Sequence, residues 1–373
     1  MKILSQAVLL LTLAARLLAA DPVPADLHPT LERMAAAVLA GDAGAYLACV
    51  DPTDPVLHKE QENWAKDLLI HRPAEFAITL DPDEIAIQPD GSVVVMLEMT
   101  WTMPEAAERS IGYPARFVRR DGHWLYAGEQ WVRVRAPGVE VLVEPELRNV
   151  GVHIAAVLPS VRRRVDELMD THVDRVQQVK VYKSMSHMQH SIYLSYADPL
   201  GGWNEPGESI KLLGDEAQSG RALRALLAHE YGHCATFDLG PHATDMPWWV
   251  LEGVAEHCSA LITGRAGRGS RRVDSWARSG NLRTWDQLAD FRGEAMNHQG
   301  HVYAQGHAMV AYLDDRFGFD RVVAWLTAMA QGQSLEDATI AAFEAAWPEI
   351  DAAWRASLGA GEAPVEPESA PAP

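Results

Sequence analysis

The chain has 373 residues, enough for two domains of ordinary size, each with its own core. Its 32 Lys and Arg against 51 Asp and Glu leave a net charge of -19, which argues against nucleic acid or an anionic membrane as partner, because an acidic surface repels both. Three cysteines are too few for a disulfide scaffold.

The first twenty residues carry Lys2, an apolar run over 7–15 and a small-residue end at Ala19-Ala20. They read as a secretory signal peptide, so the mature protein is expected to be exported, secreted or periplasmic. The run is too short to span a bilayer, and no later segment is apolar enough to do so. No stable membrane insertion is expected once the signal is removed.

Residues 26–136 form the first expected domain. Leu31, Met34 and Val38, then Tyr46 and Leu47, follow helical spacing, and 64–69 suggests another helix. Strand-like runs follow at 76–80, 93–101, 113–118 and 124–134, with hairpin signals at Asp90-Gly91 and Asp121-Gly122. Helices followed by a meander read as α+β. The segments Gly41-Asp42-Ala43-Gly44-Ala45-Tyr46 and Asp121-Gly122-His123-Trp124 resemble the cone-shaped nuclear-transport-factor-2 (NTF2, SnoaL-like) fold. This region shows no catalytic constellation, so its expected role is substrate presentation or structure.

The chain is expected to split near Ala136-Pro137-Gly138, with a second domain over 139–357. Residues 139–143 read as a short strand and 150–169 as an amphipathic helix, broken or kinked at Pro159. A second strand is expected at 176–182 and a third at 209–213, after the turn Asn204-Glu205-Pro206-Gly207. Helices follow, including 302–316 and 321–330. The Pro-, Ala- and Glu-rich tail over 359–373 cannot bury a core and is expected to be disordered. The basic clusters, at 162–164 and 265–272, read as solvated surface. Cys234 and Cys258 leave two options open, a pair in an oxidising compartment or two small buried thiols.

Chemistry concentrates in Ala228-His229-Glu230-Tyr231-Gly232-His233, followed after eighteen intervening residues by Glu252. On a helix His229 and His233 project from one face, about one turn apart. Two imidazoles so placed can grip one zinc ion, with Glu230 beside them and Glu252 arriving from a second helix. A chance match to the first motif in so His-rich a chain is roughly a one-in-twenty-five event. Requiring Glu252 lowers this to roughly a few in a thousand. The bland alternative is a pair of core histidines on an amphipathic helix. The run 221–230 is built of strong helix formers with Leu223, Leu226 and Leu227 on one face, and Gly240-Pro241 stops it.

These residues resemble the gluzincin metallopeptidases, which carry His-Glu-x-x-His and a downstream Glu ligand. The Trp-x-x-Glu-Gly-x-Ala-Glu wording from Trp249 to Glu256 is similar to the aminopeptidase-type branch, and most of all to bacterial peptidase MA-like domains. The likeness runs over about 139–354 and is strongest from His229 to Glu256. The Gly-x-Met-Glu-Asn segment of the aminopeptidases is absent upstream of His229, which puts aminopeptidase specificity in doubt. The resemblance implies a thermolysin-like mixed sheet with a mostly helical catalytic part, and peptide or protein as substrate. It also implies that the strand at 209–213 forms the lip along which substrate adds as a strand.

One zinc ion held by His229, His233 and Glu252 would polarise a scissile carbonyl and acidify its bound water. Glu230 would take that water's proton and pass it to the leaving amine. Glu256, one turn beyond Glu252, is expected to hold the outer nitrogen of a His ligand, the alternative being a solvated Glu. Tyr303 resembles the family's oxyanion donor, with His307 one turn later serving instead or alongside. The alternative for Tyr303 is a packing residue. A different class of function, a non-catalytic binding module with a ligand-holding first domain, is disfavoured by Glu230, since a purely structural zinc site has no use for a base.

Overall fold

A computed structural model describes residues 24, 26–214, 220–264 and 271–358. The expected signal peptide and the expected disordered tail lie outside the described residues. The chain divides into two units, Met1–Gln130 and Trp131–Pro373.

The first unit opens with α1 (His28–Ala40), α2 (Ala43–Leu47) and α3 (Pro55–Asp67). Helix α1 stops at Gly41, whose φ of +66° suits glycine and whose missing Cβ leaves room for the Arg72 side chain. Asp42 and Asp54 cap the next two helices by accepting from backbone N–H groups of their first turns. A meander follows: β1 (Glu75–Ile87), β2 (Val93–Thr102), β3 (Arg109–Arg120) and β4 (His123–Glu129), antiparallel in that order. Strand β2 buries Val93, Val95, Leu97, Met99 and Trp101, alternate residues on one face, as a half-buried strand requires. All the expected strands appear, and three are longer than their apolar runs. β1 carries a bulge between Leu80 and Ile85, where Asp81-Pro82-Asp83-Glu84 interrupts the alternation that made the run legible.

The expected strand at 124–134 is two strands in two different sheets. β4 ends at Glu129, and β5 (Val132–Ala136) belongs to the second unit. The expected boundary at 136–138 is therefore corrected to Gln130/Trp131. Pro137-Gly138 is instead the turn of a hairpin, pairing Ala136 with Val139 of β6 (Val139–Val143), with Gly138 at φ +70°.

In the second unit β6 leads to α4 (Arg148–Met169), which continues as one helix through Pro159. Then come β7 (Gln177–Tyr182), α5 (Met185–Ile192), β8 (Gly202–Trp203) and β9 (Ile210–Leu213). The sheet order is β5-β6-β7-β9-β8, with parallel pairing in the middle and antiparallel strands at both edges. Ile154, Leu158, Val161 and Val165 of α4 are buried in the same core as Val139, Val141 and Val143 of β6. The strand expected as the lip, at 209–213, is interior. The edge strand on this side is β8, two residues long and too short to show any alternation.

The helical part comprises α6 (Gly220–Phe237), α7 (Trp248–Thr263), α8 (Arg271–Ser279), α9 (Gln299–Phe317), α10 (Phe319–Ala330), α11 (Leu335–Phe343) and α12 (Trp347–Ser357). Arg271 and Arg272, expected in a basic loop, open α8. The guanidinium of Arg272 lies 4.7 Å from the Trp276 ring centroid. Arg162 is not a free surface charge either, because it donates to the carbonyls of Gly138 and Val173. Helix α7 lies between α6 and α9 at close range. A Cβ on Gly232 would stand 3.2 Å from Cα of Ala255, and one on Gly253 would stand 2.6 Å from the carbonyl carbon of Gly306. Beneath α7, Trp249 packs with Trp285 and Trp347 at ring separations of 4.3 and 5.4 Å. A helix clamped this way has little freedom to move what it carries.

Candidate metal centre

Helix α6 carries His229, Glu230 and His233, and α7 carries Glu252 and Glu256. α6 buries Leu223, Leu227, Ala228 and Tyr231, while Tyr231 Oη donates to Asp166 Oδ1 of α4 at 2.8 Å. This fixes the helix's rotation and turns both histidines toward α7. Their rings stand 4.9 Å apart, edge to face.

The Glu252 Oε2 atom lies 3.3 Å from His229 Nε2 and 3.5 Å from His233 Nε2. In a tetrahedral site with bonds of about 2.0–2.1 Å, ligand atoms stand about 3.3–3.4 Å from one another. Both distances from Glu252 Oε2 match an edge of such a tetrahedron, and the ligand atoms of all three residues lie within 4.8 Å of one another. Glu252 Oε2 is buried and has no hydrogen-bond partner among the described residues, which a ligand atom aimed at a cation explains. Two imidazoles and a carboxylate are a donor set that suits zinc. Among the described residues this is the group whose ligand atoms converge, all within 4.8 Å. Cys234 and Cys258 are both free, and burial pushes both thiols up, to about 12 for Cys258, so neither offers a thiolate.

The carboxyl of Glu252 is held by a residue that the sequence reading did not single out. Trp248 Nε1, four residues earlier on the same helix, donates to Glu252 Oε1 at 2.8 Å. One oxygen is thereby fixed and the other left for the metal. Burial opposes ionisation of Glu252, yet the adjacent imidazoles hold its carboxyl well below the usual range. Glu256 Oε1 stands 3.4 Å from His229 Nδ1. The distance is within reach of an ion pair, although the angle is too poor for a hydrogen bond.

Glu230 is 3% exposed and sits on the cleft wall. Burial raises its pKa, with both imidazoles acting in the opposite sense. Strand β8 lies against it: a Cβ on Gly202 would stand 2.0 Å from Glu230 Oε1. Only glycine lets the strand approach this closely. Asn204, two residues on, faces Cys234 of the same helix, whose Sγ donates to Asn204 Oδ1 at 3.4 Å. The Asn204 Nδ2 atom is buried and unpaired among the described residues. In the sequence Gly202 carried no signal and Asn204 read only as part of a turn, because their contact with α6 arises only where β8 meets that helix.

Tyr303 of α9 lines the same cleft, its ring stacked on His229 at 6.0 Å between centroids and 18° between planes. Burial and the surrounding Glu252, Glu230 and Glu256 raise its pKa, so the phenol stays protonated and remains a donor. His307 is placed elsewhere. Its ring lies 5.6 Å from that of His257, and it does not line the cleft. His257, left without a role on sequence grounds, is buried, and its Nε2 pairs with Asp314 Oδ2 of α9 at 2.8 Å.

The cleft has a volume of about 1190 Å³, large enough for several residues of a chain. No protein-family model matches this sequence, and no curated protein is detectably similar to it. Among solved structures it is similar to an M1 zinc metallopeptidase from Deinococcus radiodurans, at 13% identity and TM-score 0.41, over 77% of this chain and 62% of that one. A mutant of that enzyme gives 13% identity and TM-score 0.40, over 79% and 64%. This chain thus spans less than two thirds of the length of either.

Proposed function

We propose that this protein is a zinc-dependent peptidase that hydrolyses peptide bonds in the cleft of its second unit. The observation that carries the proposal is the spacing of 3.3 and 3.5 Å from Glu252 Oε2 to the two imidazoles, with a buried carboxylate, Glu230, beside them on the cleft wall. His229, His233 and Glu252 would hold the ion, which when bound acts as a Lewis acid toward water and a substrate carbonyl.

The chain's own groups supply the rest. Glu230, with its pKa raised by burial, takes a proton from the attacking water and delivers it to the leaving nitrogen. Tyr303, on the cleft wall, would donate a hydrogen bond to the oxyanion that forms as the carbonyl is attacked. We assign that role to Tyr303 rather than His307, because Tyr303 alone of the two lines the cleft. Glu256 is positioned to orient His229 through Nδ1, and Trp248 orients Glu252.

Export follows from the sequence of residues 1–20, and we propose the periplasm or the exterior as the place of action. The first unit, three helices and a four-stranded meander, is read as NTF2-like with a supporting role.

The test is hydrolysis of a peptide library by the zinc-loaded protein and by Glu230→Gln. The variant should keep its zinc and lose at least about 100-fold in turnover. Equal turnover in the variant, or wild-type turnover unaffected by chelator, overturns the proposal.

A further inference from the structure

The cleft beside the triad has an unusual lining, and its residues divide by strand geometry. Along a strand, side chains alternate between faces. In β8 Gly202 faces α6 and Glu230, so Trp203 turns the other way. There its ring meets Tyr196 at 5.3 Å, Tyr193 at 6.0 Å and Phe291 at 5.9 Å between centroids. Phe291 lies in the irregular stretch between two 3-10 turns, Asp286–Leu288 and Glu294–His298, and meets Trp248 at 4.8 Å. Trp248 meets Tyr303 at 6.3 Å, and Tyr303 stacks on His229. An unbroken series of rings therefore runs from β8 to a metal-ligand imidazole.

Of these rings only Trp248 belongs to the buried core. Tyr196, Trp203 and Phe291 line the cleft and are only partly buried, as is Met296 beside them. Apolar surface left facing water at a concave site is costly, and it marks the position of an apolar ligand group. Of the polar atoms nearby, Asn204 Nδ2 is unpaired among the described residues and two others are engaged. Trp248 Nε1 is bonded to Glu252, and Tyr193 Oη donates to Glu205. What the wall offers a ligand is ring faces and edges, which favour another ring at edge-to-face or offset geometry.

We propose that Trp203, Phe291 and Tyr196, with Met296, form the specificity subsite, and that it receives an aromatic or bulky aliphatic side chain next to the cleaved bond. The inference rests on the peptidase reading for the phrase "next to the cleaved bond", because the ring series ends on His229. The subsite as a binding place for a large apolar group stands apart from that reading.

Two measurements separate the claims. In the first, zinc-loaded protein is given peptides that differ only in the residues flanking one bond. Phe, Trp or Leu on one side should exceed Ala by about 10–100-fold in kcat/KM. In Trp203→Ala and Phe291→Ala that ratio should fall at least about 5-fold, with Trp203→Phe retaining most of it and zinc content equal in all. In the second, acetyl-phenylalanine amide and acetyl-alanine amide are titrated into zinc-loaded Glu230→Gln by calorimetry, with and without Trp203→Ala. The phenylalanine probe should bind at least about 10-fold more tightly, and the difference should vanish in the double variant. Selective binding without any hydrolysis would sink the peptidase reading and leave the subsite standing. Hydrolysis or binding with no preference for large apolar groups, or a preference untouched by both alanine variants, would overturn the subsite.

Discussion

Glu252 is held from three sides. His229 and His233 approach one of its oxygens, and Trp248 fixes the other at 2.8 Å. The proposed metal site therefore depends on a side chain outside its ligand set. Trp248→Phe removes the indole donor and keeps most of the packing, so zinc affinity should fall about 10–100-fold. Competition with a chromophoric chelator would measure this, and an unchanged affinity would mean that Glu252 needs no such support. His307 gives a pH prediction of its own. Burial first, then neighbouring His257, lower its pKa to about 4, with Glu256 opposing. In the unfolded chain it takes up a proton near pH 6.5, while in the folded protein it stays neutral until about pH 4. Protons thus favour the unfolded state across that window, and stability is lost as the pH falls from about 6.5 toward 4. For a partly exposed ring the loss is on the order of 1–2 kcal/mol. Urea unfolding of the metal-free protein at pH 7 and pH 4.5 should show a smaller drop in His307→Gln than in wild type.

At the scale of elements, the placement of α7 decides whether the site exists at all. Of its two close approaches, Gly253 against Gly306 leaves no space for a methyl group and Gly232 against Ala255 leaves it a tight fit. Gly306→Ala would place a Cβ 2.4 Å from the Trp249 carbonyl oxygen, so α7 and α9 must part. A loss of about 1–3 kcal/mol in stability is expected, together with weaker zinc binding as Glu252 is displaced. Thermal unfolding with and without zinc checks both. This scale also shows where the sequence stops being informative. His229 and His233 could be set side by side from the chain, because an offset of four puts two residues on one helix face, whereas Glu252 sits on another helix and was reached only through the motif's spacing. Trp248 also lay at a helical offset from Glu252, but nothing in the chain distinguished it from a core tryptophan. Gly202 gave no signal and Asn204 only a turn signal, since their proximity to Glu230 and Cys234 arises only when β8 meets α6. The edge strand β8 went unread for a related reason, because two residues cannot display a period of two. The run 124–134 read as one strand because its residues suit a strand throughout, and only pairing partners reveal the break at Gln130.

For the whole molecule, the division at Gln130/Trp131 puts every proposed ligand in the second unit. Binding to the folded state alone stabilises by mass action, so zinc should raise the unfolding temperature of the second unit and leave the first unchanged. At zinc 100-fold above its dissociation constant the gain is about 2.7 kcal/mol. Differential scanning calorimetry of zinc-loaded and chelated protein should show one moving and one stationary transition. Two moving transitions, or none, would disagree with this assignment. Among the described residues no helix is long and apolar enough to cross a membrane.

The ligand set can be observed directly. X-ray absorption at the zinc edge of the purified protein should show two imidazole nitrogens at about 2.0–2.1 Å, with the remaining shell made of oxygen at about 2.0–2.2 Å. In Glu252→Ala, zinc should be lost or its oxygen shell altered while both imidazoles persist. A shell containing sulfur at about 2.3 Å, or zinc with fewer than two imidazoles, would contradict a centre built from His229, His233 and Glu252.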